Sequence, residues 1–173
     1  MIGIMNKSTV STKTHVLFIY DYIRDYDRAK IVYEALRADD SIVIHGLFDN
    51  ENHDYLHDHE KFRYWIYRQH IFTTVSLVLI GRDTAKNPDV QFALRESFKH
   101  NNDFTGVTIH NIEIDGIRDY RGLNPMVNNS FTVPGGIDVS VFGRYDIYDW
   151  MYDDGKKEIV HWITGKKMSN VQN

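Results

Sequence analysis

VLIGRDTAKNPDVQFALRES, residues 78–97, decides the fold. Its first residues complete the apolar run Val75 to Ile80 (VSLVLI), which has the length of a strand. A polar loop follows, and Pro88 then suits the first turn of a helix. Val90, Leu94 and Ser97 fall on one face of that helix. A buried strand that passes through a short loop into an amphipathic helix is half of a parallel crossover unit.

The same unit recurs before and after this stretch. His15 to Tyr20 (HVLFIY) and Ser41 to Gly46 (SIVIHG) are strand-length apolar runs, and Gly106 to Ile112 (GVTIHNI) reads as a fourth strand. Continuous rather than alternating apolar character marks strands covered on both faces, hence a mainly parallel sheet. Between the first two runs, Ala29, Val32, Ala35 and Leu36 recur at helical spacing, with acidic Asp25 and Asp27 near the helix start. Between the second and third, Phe62, Ile66 and His70 share a helical face. The order β-α-β-α-β-α-β predicts an α/β fold, an open doubly wound sheet with right-handed crossovers. Such sheets take ligands at the carboxyl ends of their strands. Here those ends are Tyr20-Asp21-Tyr22, residues 46–50 and residues 81–87.

The C-terminal third reads differently. RGLNPMVNN and TVPGG carry turn signals, IDVSVFG and YDIYDWMY alternate, and DDG before KKEIVHWIT reads as a hairpin. The expectation is a single domain over residues 15–173, after a flexible lead-in of residues 1–14, with a C-terminal antiparallel hairpin over about residues 137–164. Trp150 and Trp162 belong to that hairpin, and Trp65 to a helix, as packing residues.

Composition narrows the function classes. With 173 residues, 42% of them hydrophobic, the chain can bury one real core. No apolar run approaches the ~20 residues that span a bilayer, and the first residues lack the apolar core of a signal peptide. There are no cysteines, hence no disulfide framework and no thiolate metal site. A cytoplasmic protein is expected. The net charge of −4 gives no electrostatic case for nucleic acid or an anionic membrane as partner. No G-x-G-x-x-G follows the first strand, and no P-loop lysine or G-x-S-x-G motif occurs, which disfavours Rossmann dehydrogenases, P-loop NTPases and α/β-hydrolases. The third strand ends Ile80-Gly81-Arg82, without the aspartate that a phosphorylatable receiver needs. HDYLHDHE, residues 53–60, matches no zinc spacing and reads as a polar loop and helix start, so no metal is expected. YDYIRDYD after the first strand has two readings of equal weight. Its rings and carboxylates either line a nucleotide pocket or serve as caps and core-edge tyrosines.

Taken in order, several segments resemble one family. They are HVLFIYDY with its Asp/Arg-bearing helix, KFRYWIYRQHIFTTVSLVLIG, the following RDT and its helix, GVTIHNI, GLNP (Gly122 to Pro125), and YDIYDW with its glycine turn. Over most of residues 15–163 this set resembles the TIR-like family of bacterial antiviral defence, of the Thoeris type. The resemblance implies a flavodoxin-like TIR fold that cleaves NAD⁺, a substrate and not a permanently bound cofactor. Nicotinamide leaves, the ribose is captured by a nucleophile, and an ADP-ribose-derived nucleotide activates a partner effector as a diffusible signal. Self-association is a further implication. The chemistry needs a carboxylate near the ribose to stabilise charge developing at the anomeric carbon.

The family carries that glutamate on the helix after the V-L-I-G strand, in a pattern like W-V-x-Y-E. The matching residues here are Asp89, Val90, Gln91, Phe92 and Ala93. The catalytic position is therefore Ala93, a methyl group. An introduced substitution is preferred over a native loss, and rescue by Glu96 or Asp89, displaced by about a turn (~5 Å), ranks last. The implied pocket takes Tyr20, Asp21 and Tyr22 from the first strand, Phe48 and Asp49 from the second, and Thr84 beside the Ala93 helix. The expected form is a disabled enzyme. The alternative is a non-catalytic interaction or nucleotide-sensing module, because fold does not fix function.

Overall fold

A computed structural model describes residues 13–46, 58–126, 130–133, 137–140 and 145–165. The elements are β1 (Thr14–Ile19), α1 (Tyr26–Leu36), β2 (Ile42–His45), α2 (His59–His70), β3 (Val75–Ile80) and a single 3-10 turn (Thr84–Lys86). They continue with α3 (Pro88–Lys99), β4 (Asp103–Thr108), β5 (Ser130–Val133), β6 (Ile137–Ser140), β7 (Ile147–Asp149) and α4 (Gly155–Thr164). Five strands form one sheet in the order β2-β1-β3-β4-β7. Every pairing in it is parallel. This is the flavodoxin-like doubly wound order, whose crevice opens where the winding reverses, between the carboxyl ends of β1 and β3.

Apolar continuity sets this arrangement. All six residues of β3 are buried, as befits a central strand flanked by β1 and β4. Right-handed crossovers put α2 and α3 on one face and α1 and α4 on the other, and the helices touch in those pairs. Each helix buries the stripe its spacing specified: Ala29, Val32 and Leu36 on α1, Phe62, Ile66 and His70 on α2, Val90, Leu94 and Ser97 on α3. Two helix starts are fixed by side-chain caps. Asp58 accepts from the Glu60 and Lys61 amides, and Asn87 accepts from those of Asp89 and Val90 just ahead of Pro88. No described helix is long and apolar enough to cross a membrane.

The C-terminal third departs from the expected hairpin over about residues 137–164. The antiparallel pair lies earlier, β5 against β6. β7 instead joins the main sheet parallel to β4, and KKEIVHWIT lies within α4. Two physical reasons account for the difference. Ile159 and Ile163 are one helical turn apart and both buried, a period that a short window confuses with alternation. The DDG does not turn a hairpin. Asp154 takes the left-handed conformation at φ 53°, and Gly155 packs on Trp150, where a β-carbon would lie 2.5 Å from Cε3. Trp150 is thus a buried residue under the start of α4, and Trp162 lies on α4 with its ring stacked on Tyr148 at 4.3 Å.

Candidate functional site at the strand switch point

On the α2–α3 side of the crevice, the end of β1 supplies an aromatic cluster. The rings of Tyr20 and Tyr22 lie 4.4 Å apart, and Tyr22 meets Phe62 edge-on at 4.9 Å. Trp65 approaches Tyr22 at 6.3 Å. The Tyr22 hydroxyl donates to the Phe18 carbonyl at 3.1 Å. Burial first, then Tyr20 and the Asp89 carboxylate, hold the Tyr22 phenol well above its ordinary range. Asp89 lies at the start of α3, with His59 Nδ1 3.2 Å from both of its oxygens. One turn on, Ala93 is fully buried.

On the α1 side, the crevice holds a buried acid. Asp25 is closed off from solvent at the N-cap of α1. Its carboxylate lies where a side chain on Gly81 would be, since a β-carbon there would meet Asp25 Oδ2 at 2.1 Å. The Gly81 amide donates to Thr84 Oγ1 at 2.8 Å, and the Thr84 hydroxyl donates on to Asp25 Oδ2 at 3.4 Å. Arg28 Nη1 stands 4.0 Å from Asp25 and 3.9 Å from Asp119, while its Nε donates to the Ile112 carbonyl at 3.0 Å. Burial, reinforced by the neighbouring Asp21, raises the Asp25 carboxyl to about 7 against the opposing pull of Arg28. A buried acid that titrates near neutrality at a strand switch point has the character of a functional group.

A cleft of about 440 Å³ lies between the loop after β3 and the Tyr120–Leu123 segment. Asp83 gathers the cations at its mouth. It pairs with Arg24, and stands 3.9 Å from Arg82 and 3.7 Å from Lys86. The Arg82 guanidinium lies over the Tyr120 ring at 5.2 Å. Gly122 forms part of the cleft lining and packs on the backbone of Gly81 and Arg82.

Of the residues expected to line a pocket, Tyr20, Asp21, Tyr22 and Thr84 lie at the carboxyl ends of β1 and β3, in different roles. Tyr20 and Tyr22 are packed into the core cluster. Asp21 caps its own turn, accepting from the Ile23 and Arg24 amides. Thr84 is fully buried and points inward to Gly81 and Asp25. Phe48 and Asp49 lie outside the described residues, as do His53 and His57. Of the two fallback carboxylates, Asp89 reaches the crevice. Glu96 sits near the far end of α3, paired with Lys99 at 2.6 Å.

Asp25 and Gly122 are the contributions that sequence reading missed. Asp25 was legible only as an acid near a helix start, although its place one turn after Asp21 and the bare Gly81 of VLIG both bear on it. A second polar constellation lies at the opposite, amino end of β3. His70 Nδ1 bonds the Ile66 carbonyl at 2.9 Å, which leaves Nε2 to accept from Ser97 Oγ at 2.8 Å. Ser97 in turn accepts from Ser76, and Ser76 from Asn102. This pairing has the form of a nucleophile and base, yet every member is buried at the edge away from the ligand-bearing ends. Its role is to satisfy polar groups between α2, α3 and β3, where each orphaned group would cost about 1–3 kcal/mol. No family model matches the chain, and no curated protein sequence matches it as a relative.

Proposed function

We propose that this chain is a TIR-like protein of the NAD⁺-handling antiviral-defence type that works in the cytoplasm, with its nucleotide-binding crevice retained and its cleavage chemistry lost at Ala93. The observation that carries the reading is the fully buried alanine on α3, one turn from Asp89, at the position where the resemblance requires the glutamate. The flavodoxin-like strand order and the aromatic cluster at the end of β1 support it.

Loss of nicotinamide leaves positive charge on the ribose, and a preorganised group of opposite charge is what lowers that barrier. Removing one such stabilising group costs about 10²–10³ in rate. A methyl supplies none of it. Asp89 is engaged by His59, and Glu96 by Lys99 at the far end of the helix, so neither takes over. The active form, with glutamate at position 93, makes the ADP-ribose-derived signal that reaches an effector by diffusion.

The test is Ala93→Glu beside the unchanged chain, with nicotinamide release followed on NAD⁺. The expected result is release at least about 100-fold faster from the glutamate form. A folded Ala93→Glu protein that binds NAD⁺ and releases no nicotinamide defeats the enzyme reading. The second reading, a non-catalytic interaction or sensing module, is favoured by one observation: Tyr20, Tyr22 and Ala93 are all closed off from solvent. Absence of NAD⁺ binding by either form would select it.

A further inference from the structure

We infer that the cleft between the loop after β3 and the Tyr120–Leu123 segment is a mononucleotide site, which binds phosphate through Arg82, Lys86 and Arg121 and stacks a base on Tyr120. The inference rests on this cleft alone and does not require NAD⁺ cleavage.

Charge points to the phosphate. The chain as a whole carries −4, yet this cleft gathers cations. Arg24, Arg82 and Lys86 share a single carboxylate, Asp83. Arg121 lines the cleft and has no carboxylate partner among the described residues. Long, solvent-exposed ion pairs of the kind Arg82 and Lys86 make with Asp83 contribute little, because water screens them. A phosphate, which takes several charge-assisted hydrogen bonds at once, displaces such pairs readily.

Shape and surface chemistry point to the base. Tyr120 is 74% exposed, although a large aromatic ring ordinarily seeks burial. Arg82 covers the ring at 5.2 Å, a geometry that orders the ring without hiding it. Leu123, 70% exposed, lines the same cleft and adds apolar surface. Base-on-aromatic stacking tolerates any base, because every base has a π-face. The cleft volume of about 440 Å³ falls in the range of small-molecule sites, roughly 300–1,000 Å³. It also lies at the carboxyl end of the central strand, where doubly wound sheets present ligands. The backbone contact of Gly122 on Gly81 sets that part of the cleft as rigid main chain.

The test is titration of AMP and of inorganic phosphate into the full chain by calorimetry, alongside Arg121→Ala and Tyr120→Ala. Both residues are exposed, so the fold is retained in each variant. AMP is expected to bind saturably and more tightly than inorganic phosphate. Arg121→Ala should weaken both by about tenfold or more. Tyr120→Ala should weaken AMP by about fivefold or more and leave inorganic phosphate unchanged. No saturable binding of AMP, or AMP binding that neither substitution weakens, overturns the site. AMP binding that Tyr120→Ala leaves intact overturns its assignment to a nucleotide.

Discussion

Gly122→Ala is expected to lower the melting temperature by about 6–12 °C and to abolish binding in the basic cleft. A β-carbon at Gly122 would stand 1.8 Å from the Gly81 carbonyl oxygen and 2.8 Å from that of Arg82. Both obstacles are backbone, and neither can rotate away. Gly81 is pinned from its other side, because its Cα faces the buried Asp25 carboxylate and its amide is held by Thr84. Relief requires moving the Tyr120–Leu123 segment off the end of β3. Overpacking of this kind costs about 3 kcal/mol, at the upper end for a single methyl. At about 2–4 °C per kcal/mol for a chain of this size, that gives the stated shift. Calorimetric melting checks it. A melting temperature within a degree or two of the parent would mean that the segment is not seated on Gly81.

Asp25→Asn is expected to stabilise the protein at pH 8 and to flatten its stability profile below neutrality. The carboxyl titrates at 3.8 when unfolded and at about 7 in the fold. Below pH 4 both states hold the proton, and the group's contribution is fully present. As pH rises from about 4 to about 7, the unfolded chain gives up its proton while the native state keeps it, so stability falls. Above about pH 7 the native state is ionised too, and the loss levels off on the order of 4 kcal/mol. An amide avoids that loss. It also weakens the partnership with Arg28, which keeps Asp119 and the Ile112 carbonyl. The net gain expected at pH 8 is about 2 kcal/mol, with little gain at pH 4. Denaturant midpoints at the two pH values decide the matter. Equal destabilisation at both would show that Asp25 is a structural charge.

The sequence made the core legible because periodicity and burial are local and repeated. VSLVLI coincides with β3 residue for residue, and the buried stripes of α1, α2 and α3 fall where spacing puts them. Asn87 and Pro88 mark the start of α3 for the same reason. The misread segment, KKEIVHWIT, is short, and its neighbour DDG carries a turn signal whose actual use is a close approach to Trp150. The site was legible by region and not by role. Strand ends located Tyr20, Asp21, Tyr22 and Thr84, but which of them faces a ligand depends on packing across α1, α3 and the Tyr120–Leu123 segment. Asp25 acquires its character first from burial against the distant Gly81 and then from the neighbouring Asp21, and no local pattern announces the burial.

The most direct test of the central claim is titration of NAD⁺ into the chain carrying Arg121→Ala, with nicotinamide followed in the same samples. That substitution weakens nucleotide binding in the basic cleft by about tenfold or more. Saturable binding of NAD⁺ at the β1–β3 crevice with no nicotinamide release is the expected result. Absence of binding, or steady release of nicotinamide from a chain with alanine at position 93, would contradict it.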